Sequence, residues 1–157
     1  MSQQEDFMRE AIALSAKNIE EKNWGPFGAV IVKDGEIVGR GYNHVVANTD
    51  PTAHGEVMAI RDACTNLWTF DLAGCEIYTS CEPCPMCLGA IYWARISKIC
   101  YANTEQDAHD IWFDDEIFYD EFSKPIAERK VATEQLGHDE ARAVFDDWKK
   151  EVDDIKY

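Results

Sequence analysis

His54 and Glu56, with one residue between them, and Cys84 and Cys87, with two between them, are the side chains of this sequence best suited to chemistry. In Ser80-Cys81-Glu82-Pro83-Cys84-Pro85-Met86-Cys87 the Pro-Cys-x-x-Cys core sets two thiols about one helical turn apart. Thiols at a helix start lie beside unpaired N–H groups and the positive end of the helix dipole, which lowers their pKa toward the thiolate a metal needs. Together with the imidazole of His54 they form a three-donor nitrogen and sulfur set of the kind that zinc takes.

A structural zinc has four protein ligands, whereas a catalytic zinc has three and a fourth position open to water. Cys81 is the one nearby thiol that could close the set; it precedes Pro83 at a strand end, away from the turn where Cys84 and Cys87 converge. Glu56 lies two residues from His54, off the face that a fourth helical ligand would use, so its expected role is to carry protons. Zinc brings a bound water to a pKa of about 7, and a carboxylate beside that water can pass its proton onward. Hydrolytic removal of an amine from an amidine-like carbon needs both parts, attack by hydroxide and protonation of a ring nitrogen and then of the departing amine. The paired stretches fit the H-x-E and P-C-x-x-C signature of zinc deaminases.

The elements that must hold these groups read as alternating helices and strands. Ser2-x-x-Glu5 is a capping box, and Phe7, Ala11, Ile12, Ser15 and Ile19 recur at helical spacing to about Glu21. Phe27 to Val32 reads as a buried strand, and Asp34-Gly35 as a hairpin turn that pairs it with Ile37 to Asn43. A helix is expected from Ala53 to Cys64 with Val57, Ile60 and Cys64 inward, then a strand from Cys75 to Thr79, the Cys84 helix to Ala94, and a strand from Ile99 to Ala102. Beyond Glu105 the pattern predicts a short helix over Asp107 to Trp112, a loop over Phe113 to Pro125 and a fifth strand over Lys130 to Leu136. Ala141, Val144, Phe145, Trp148, Val152 and Ile155 mark a last amphipathic helix. The alternation predicts α/β layers.

At 157 residues the chain is expected to be a single domain, 1–157, without internal repeats or a linker. Its acidic opening lacks the pattern of an export signal, and no apolar window of about 18 residues could span a bilayer, so a cytoplasmic protein is expected. Of its six cysteines, Cys64, Cys75 and Cys100 sit in apolar surroundings and are expected as buried thiols. The formal net charge of −15 argues against nucleic acid, whose phosphates are bound by Lys and Arg.

Asn43, Pro51-Thr52-Ala53-His54-Gly55-Glu56, the run from Thr79 to Arg95 and Phe113-Asp114-Asp115 together resemble the bacterial guanine deaminases of the cytidine deaminase superfamily, a likeness running from about Gly25 to Tyr157. The resemblance implies a three-layer α/β/α sandwich on a mixed five-stranded sheet and one zinc ion per chain. It further implies conversion of guanine to xanthine and ammonia, and a homodimer that exchanges its C-terminal segments, about 137–157 here. It makes His54, Cys84 and Cys87 the zinc ligands, Glu56 the proton shuttle and Asp115 a carboxylate near the reacting amine. Asn43 would hydrogen-bond the purine, Phe27 and Trp93 would pack on its ring, and Tyr157 would close the neighbouring site; by sequence alone Phe27 and Trp93 read as core. Gly55 stands where the family usually has Ala, and Trp112 where Gly is commonplace, so another aminopurine, guanosine or an amino-triazine stays open as substrate. The same motifs occur in tRNA adenosine deaminases, and a non-catalytic zinc-stabilised binding module is the non-enzyme alternative.

Overall fold

The structure, a computed structural model, describes residues 2–151. It divides into two compact units, one up to Asp115 and one from Glu116 onward. The first unit carries the sheet and all the motifs of chemical interest.

Helix α1 (Gln3–Glu20) starts from the expected capping box: the Ser2 hydroxyl accepts from the Glu5 N–H at 3.3 Å and the Glu5 carboxylate accepts from the Ser2 N–H at 2.7 Å. Strands β1 (Gly28–Lys33) and β2 (Glu36–Tyr42) form the expected antiparallel hairpin, with Asp34 and Gly35 both left-handed in the turn. A short helix α2 (Val45–Asn48) leads to α3 (Gly55–Leu67), followed by β3 (Glu76–Cys81), α4 (Pro85–Trp93), β4 (Lys98–Asn103) and α5 (Glu105–Asp110). Pro85 takes the first helical position of α4, where no N–H is missed.

The sheet order is β2-β1-β3-β4, antiparallel except for the parallel β3–β4 pair, so the sheet is mixed. Strand β1 is buried on both faces. Ala29, Ile31 and Ile77 point to one side and pack with Ala59, Ala63, Leu72 and Ile91; Val30, Val32 and Tyr78 point to the other, against Phe7, Met8 and Leu14 of α1. Helices on both faces make the three layers.

The expected five-stranded sheet has four strands among the described residues, and the segment from Lys130 to Leu136 forms none. Its two large apolar residues, Val131 and Leu136, are an odd number of residues apart and would face opposite sides of a strand, and each is 78% exposed. The expected loop after Phe113 also contains a helix, α6 (Glu116–Ser123), before a 3₁₀ turn (Ile126–Glu128) and the amphipathic α7 (His138–Glu151). Val152 and Ile155 lie outside the described residues. On α3 the buried residues are Gly55, Glu56, Ala59 and Ala63, while Val57, Ile60 and Cys64 are only partly covered, Ile60 and Cys64 packing against the core. Cys75 is buried as expected, Cys64 and Cys100 are half-buried, and all six cysteines are free. No helix among the described residues is long and apolar enough to cross a membrane.

Candidate active site

Helices α3 and α4 aim their N-termini at one point. His54 is the N-cap of α3 and Cys84 the N-cap of α4, and neither spends its side chain on capping. Both are therefore available to each other: His54 Nδ1 lies 3.6 Å from Cys84 Sγ and 3.5 Å from Cys87 Sγ. Among the described residues these three form the group whose donor atoms all lie within 4.8 Å of one another. A tetrahedral zinc about 2.05 Å from nitrogen and about 2.3 Å from sulfur sets those atoms about 3.6 Å apart, so the residues present fit the ion.

The electrostatics suit a cation. Hydrogen bonding between the two thiols drops Cys84 to about 4, with His54 adding to the fall, and together with burial it drives Cys87 up. Hydrogen bonding to Cys84 raises His54. Cys81 stands apart: burial and then the Glu56 charge push it up to about 11, and its Sγ donates to the Thr104 carbonyl at 3.6 Å. A protonated thiol turned to a backbone oxygen leaves the His/Cys/Cys set at three.

Glu56, 5% exposed, is the first acidic group of α3 and faces the positive end of that helix. Burial raises its pKa, the Cys84 charge adds to the rise, and its Oε2 lies 3.4 Å from Cys87 Sγ. Its other oxygen, Oε1, is 3.1 Å from the Thr79 hydroxyl, which also lies 3.0 Å from the Cys81 carbonyl. Thr79 was not foreseen. Its signal in the sequence is faint, a lone hydroxyl alternating with Ile77 on the α3 side of β3.

The other expected residues are distributed unevenly. Asn43 is buried, its N–H donates to the Phe27 carbonyl at 3.0 Å, and Phe27 meets Phe113 edge to face with ring centroids 4.9 Å apart. Gly55 packs beneath this pair: a Cβ there would stand 3.0 Å from the Phe27 carbonyl oxygen, so its lack of a side chain lets the start of α3 close on β1. Asp115 is half-buried and raised by that burial and by the charge on Cys84. Trp93 is 67% exposed and stands at the opposite end of α4 from Cys84, about 13 Å along the helix axis. The structure does not draw it into the cluster within one chain, nor does it bury it in the core. Trp112 is left-handed (φ 72°) and 93% exposed, so a position where the family commonly has Gly has the backbone that Gly favours. Tyr157 lies outside the described residues.

The pattern of the Cytidine and deoxycytidylate deaminase zinc-binding region matches residues 1–103. The chain belongs to this family. Within it, the chain is 46% identical to guanine deaminase of Bacillus subtilis over 153 residues, 98% of each protein, and superposes on the X-ray structure of that enzyme with a TM-score of 0.93 over 98% of both chains. It is 45% identical to the tRNA-specific adenosine deaminase of Aquifex aeolicus over 98 residues, 62% of this chain and 64% of that one. A solved chain in complex with 2,6-diaminopurine matches with a TM-score of 0.68 and 34% identity, over 71% of this chain and 62% of that one. Zinc is thus the metal that both the family and the donor set specify.

Proposed function

We propose that this chain is a zinc-dependent guanine deaminase, which adds water to guanine and releases xanthine and ammonia. The observation that carries the reading is the extent of the likeness: it runs through 98% of both chains for the guanine deaminase, whereas for the tRNA-specific enzyme it covers 62% of this chain. The likeness to a chain holding 2,6-diaminopurine supports a purine ring in the site.

When bound by His54, Cys84 and Cys87, zinc supplies a water whose pKa is brought to about 7. Glu56 would accept the first proton of that water and deliver it to the ring nitrogen beside the reacting carbon, then accept the second from the hydroxyl so added to that carbon and deliver it to the amine as the C–N bond breaks. Burial helps it take those protons, because a carboxylate raised from its ordinary value is a stronger base. Thr79, beside Oε1, holds the carboxyl in place. Asp115 accepts from the departing amine, Asn43 hydrogen-bonds the base, and Phe27 contributes aromatic surface. Tyr157 closes the site in a homodimer that exchanges its C-terminal segments. Support for that assembly comes from α7, which leaves Val144, Phe145 and Trp148 more than half exposed at 65%, 67% and 52%. Six free thiols support a reducing, cytoplasmic setting.

The test is ammonia release by zinc-replete protein from guanine, guanosine, adenine, cytosine, cytidine and an amino-triazine, with a tRNA anticodon stem alongside. Guanine is expected to be the fastest. Faster turnover of the anticodon stem would make this a tRNA enzyme, and faster turnover of another small heterocycle would reassign the substrate.

A further inference from the structure

We infer that Asn18, on α1 and outside the zinc cluster, is a positioning residue that holds the Asn43 amide in line for the base by fixing Gly25 against it. The inference rests on the role given to Asn43 above and extends it by two residues.

Asn18 is completely buried, on a helix whose other fully buried residue is Ala11. Its Nδ2 donates to the Trp24 carbonyl at 3.2 Å and to the Gly25 carbonyl at 2.5 Å, and its backbone carbonyl accepts from the Asn23 N–H at 3.1 Å. Its Oδ1 has no hydrogen-bond partner. Burying an amide with half its capacity unused is unfavourable where an apolar side chain could pack, so the two N–H bonds are what this residue provides.

What they hold cannot hold itself. Trp24 and Gly25 are consecutive left-handed residues, with φ of 53° and 92°, and such a backbone persists in a tryptophan only when its surroundings impose it. Gly25 in turn is a wall for Asn43: a Cβ on Gly25 would stand 3.0 Å from both Cγ and Nδ2 of the Asn43 amide. The amide is clamped at other points too. Its Oδ1 accepts from the Val45 N–H at 3.0 Å, its backbone N–H reaches the Phe27 carbonyl at 3.0 Å, and the Phe27 N–H returns to the Gly25 carbonyl at 2.9 Å. The terminal torsion of an asparagine is otherwise broad. Val45 takes one lone pair of Oδ1 and so fixes which way the amide is turned, which leaves Nδ2 as its donor for an acceptor atom of the purine edge. The path from Asn18 through Gly25 to Asn43 therefore sets the direction of one donor.

The experiment is a double-mutant cycle on the zinc-loaded enzyme. Gly25→Ala and Asn18→Leu are each made alone and with Asn43→Ala, and zinc content, kcat and KM for guanine are measured. Asn18→Leu reaches the site from α1; Gly25→Ala is the second variant should the first fail to fold. Each is expected to raise KM about tenfold, the effect of one misdirected hydrogen bond, with zinc retained and kcat nearly constant. In the Asn43→Ala background the same changes should move KM by less than about twofold. Equal effects in both backgrounds, or a loss confined to kcat and zinc, would overturn the inference while guanine turnover by the parent enzyme stands. An Asn43→Ala enzyme with unaltered KM, or a parent enzyme inert toward guanine, would overturn the reading of Asn43 and the inference with it.

Discussion

Glu56 carries two opposed demands. Burial disfavours its charge, yet the mechanism needs it charged when water gives up a proton and neutral when the amine leaves. Its position at the start of α3, with Thr79 at 3.1 Å, keeps both forms accessible. Replacing it by glutamine keeps the shape and removes the proton carrier. Glu56→Gln is expected to bind zinc at the wild-type ratio and to lose deamination by several orders of magnitude, checked by metal analysis and ammonia release together; retained turnover in the loaded variant would place the proton path elsewhere. His54, Glu56, Cys84 and Cys87 were legible in the sequence because each pair is local, and the residue types admit few other uses at that spacing. Thr79 and Asn18 were not. The carboxylate that Thr79 supports lies 23 residues away, and a threonine in an apolar strand or an asparagine late in a helix looks ordinary until its partner is in view.

At the scale of elements, the site exists because α3 lies almost in contact with β2. A Cβ at Gly41 would stand 2.2 Å from the Ala59 backbone nitrogen and 2.4 Å from the Gly55 carbonyl oxygen, so the backbones themselves touch. Gly55 and Glu56 begin α3, and any shift of that helix away from the sheet displaces His54 with it. Gly41→Ala is expected to destabilise the protein by about 3 kcal/mol or more in urea unfolding, because backbone atoms cannot yield as a side-chain tip can. Gly74→Ala, where nothing lies within 4 Å but φ is 82°, should lose only about 1 kcal/mol from backbone strain. Equal losses would mean that α3 relaxes freely and that close packing does not place the site. The hairpin, α3, β3, α4 and β4 were legible from periodicity and turn residues. The fifth strand was not, because a strand forms by pairing, and the 130–136 segment shows one β-branched apolar residue without a consistent face. The inward face of α3 was legible in part: Ile60 and Cys64 pack against the core as periodicity suggests, whereas close approach to Gly39 and Gly41 selects Ala59 and Ala63, which periodicity of large residues does not mark.

The whole molecule carries a formal charge of −15, and that single quantity bears differently on each proposed partner. Guanine is neutral, so its binding gains no long-range steering and loses none. An RNA would be repelled, and weak binding through a local cationic spot would fall further as salt rises. A second copy of the chain is also repelled, because association brings two acidic surfaces together while the attraction comes from apolar side chains such as Phe145 and Trp148. Salt screens the first term and leaves the second, so the proposed homodimer should tighten as ionic strength rises. Light scattering on the 17.9 kDa chain is expected to show about twice that mass at about 0.5 M salt and a larger monomer fraction near 0.01 M, where the Debye length is about 30 Å. A dimer that instead dissociates as salt is added would have to be held by complementary charges, which would remove α7 as the basis of the assembly.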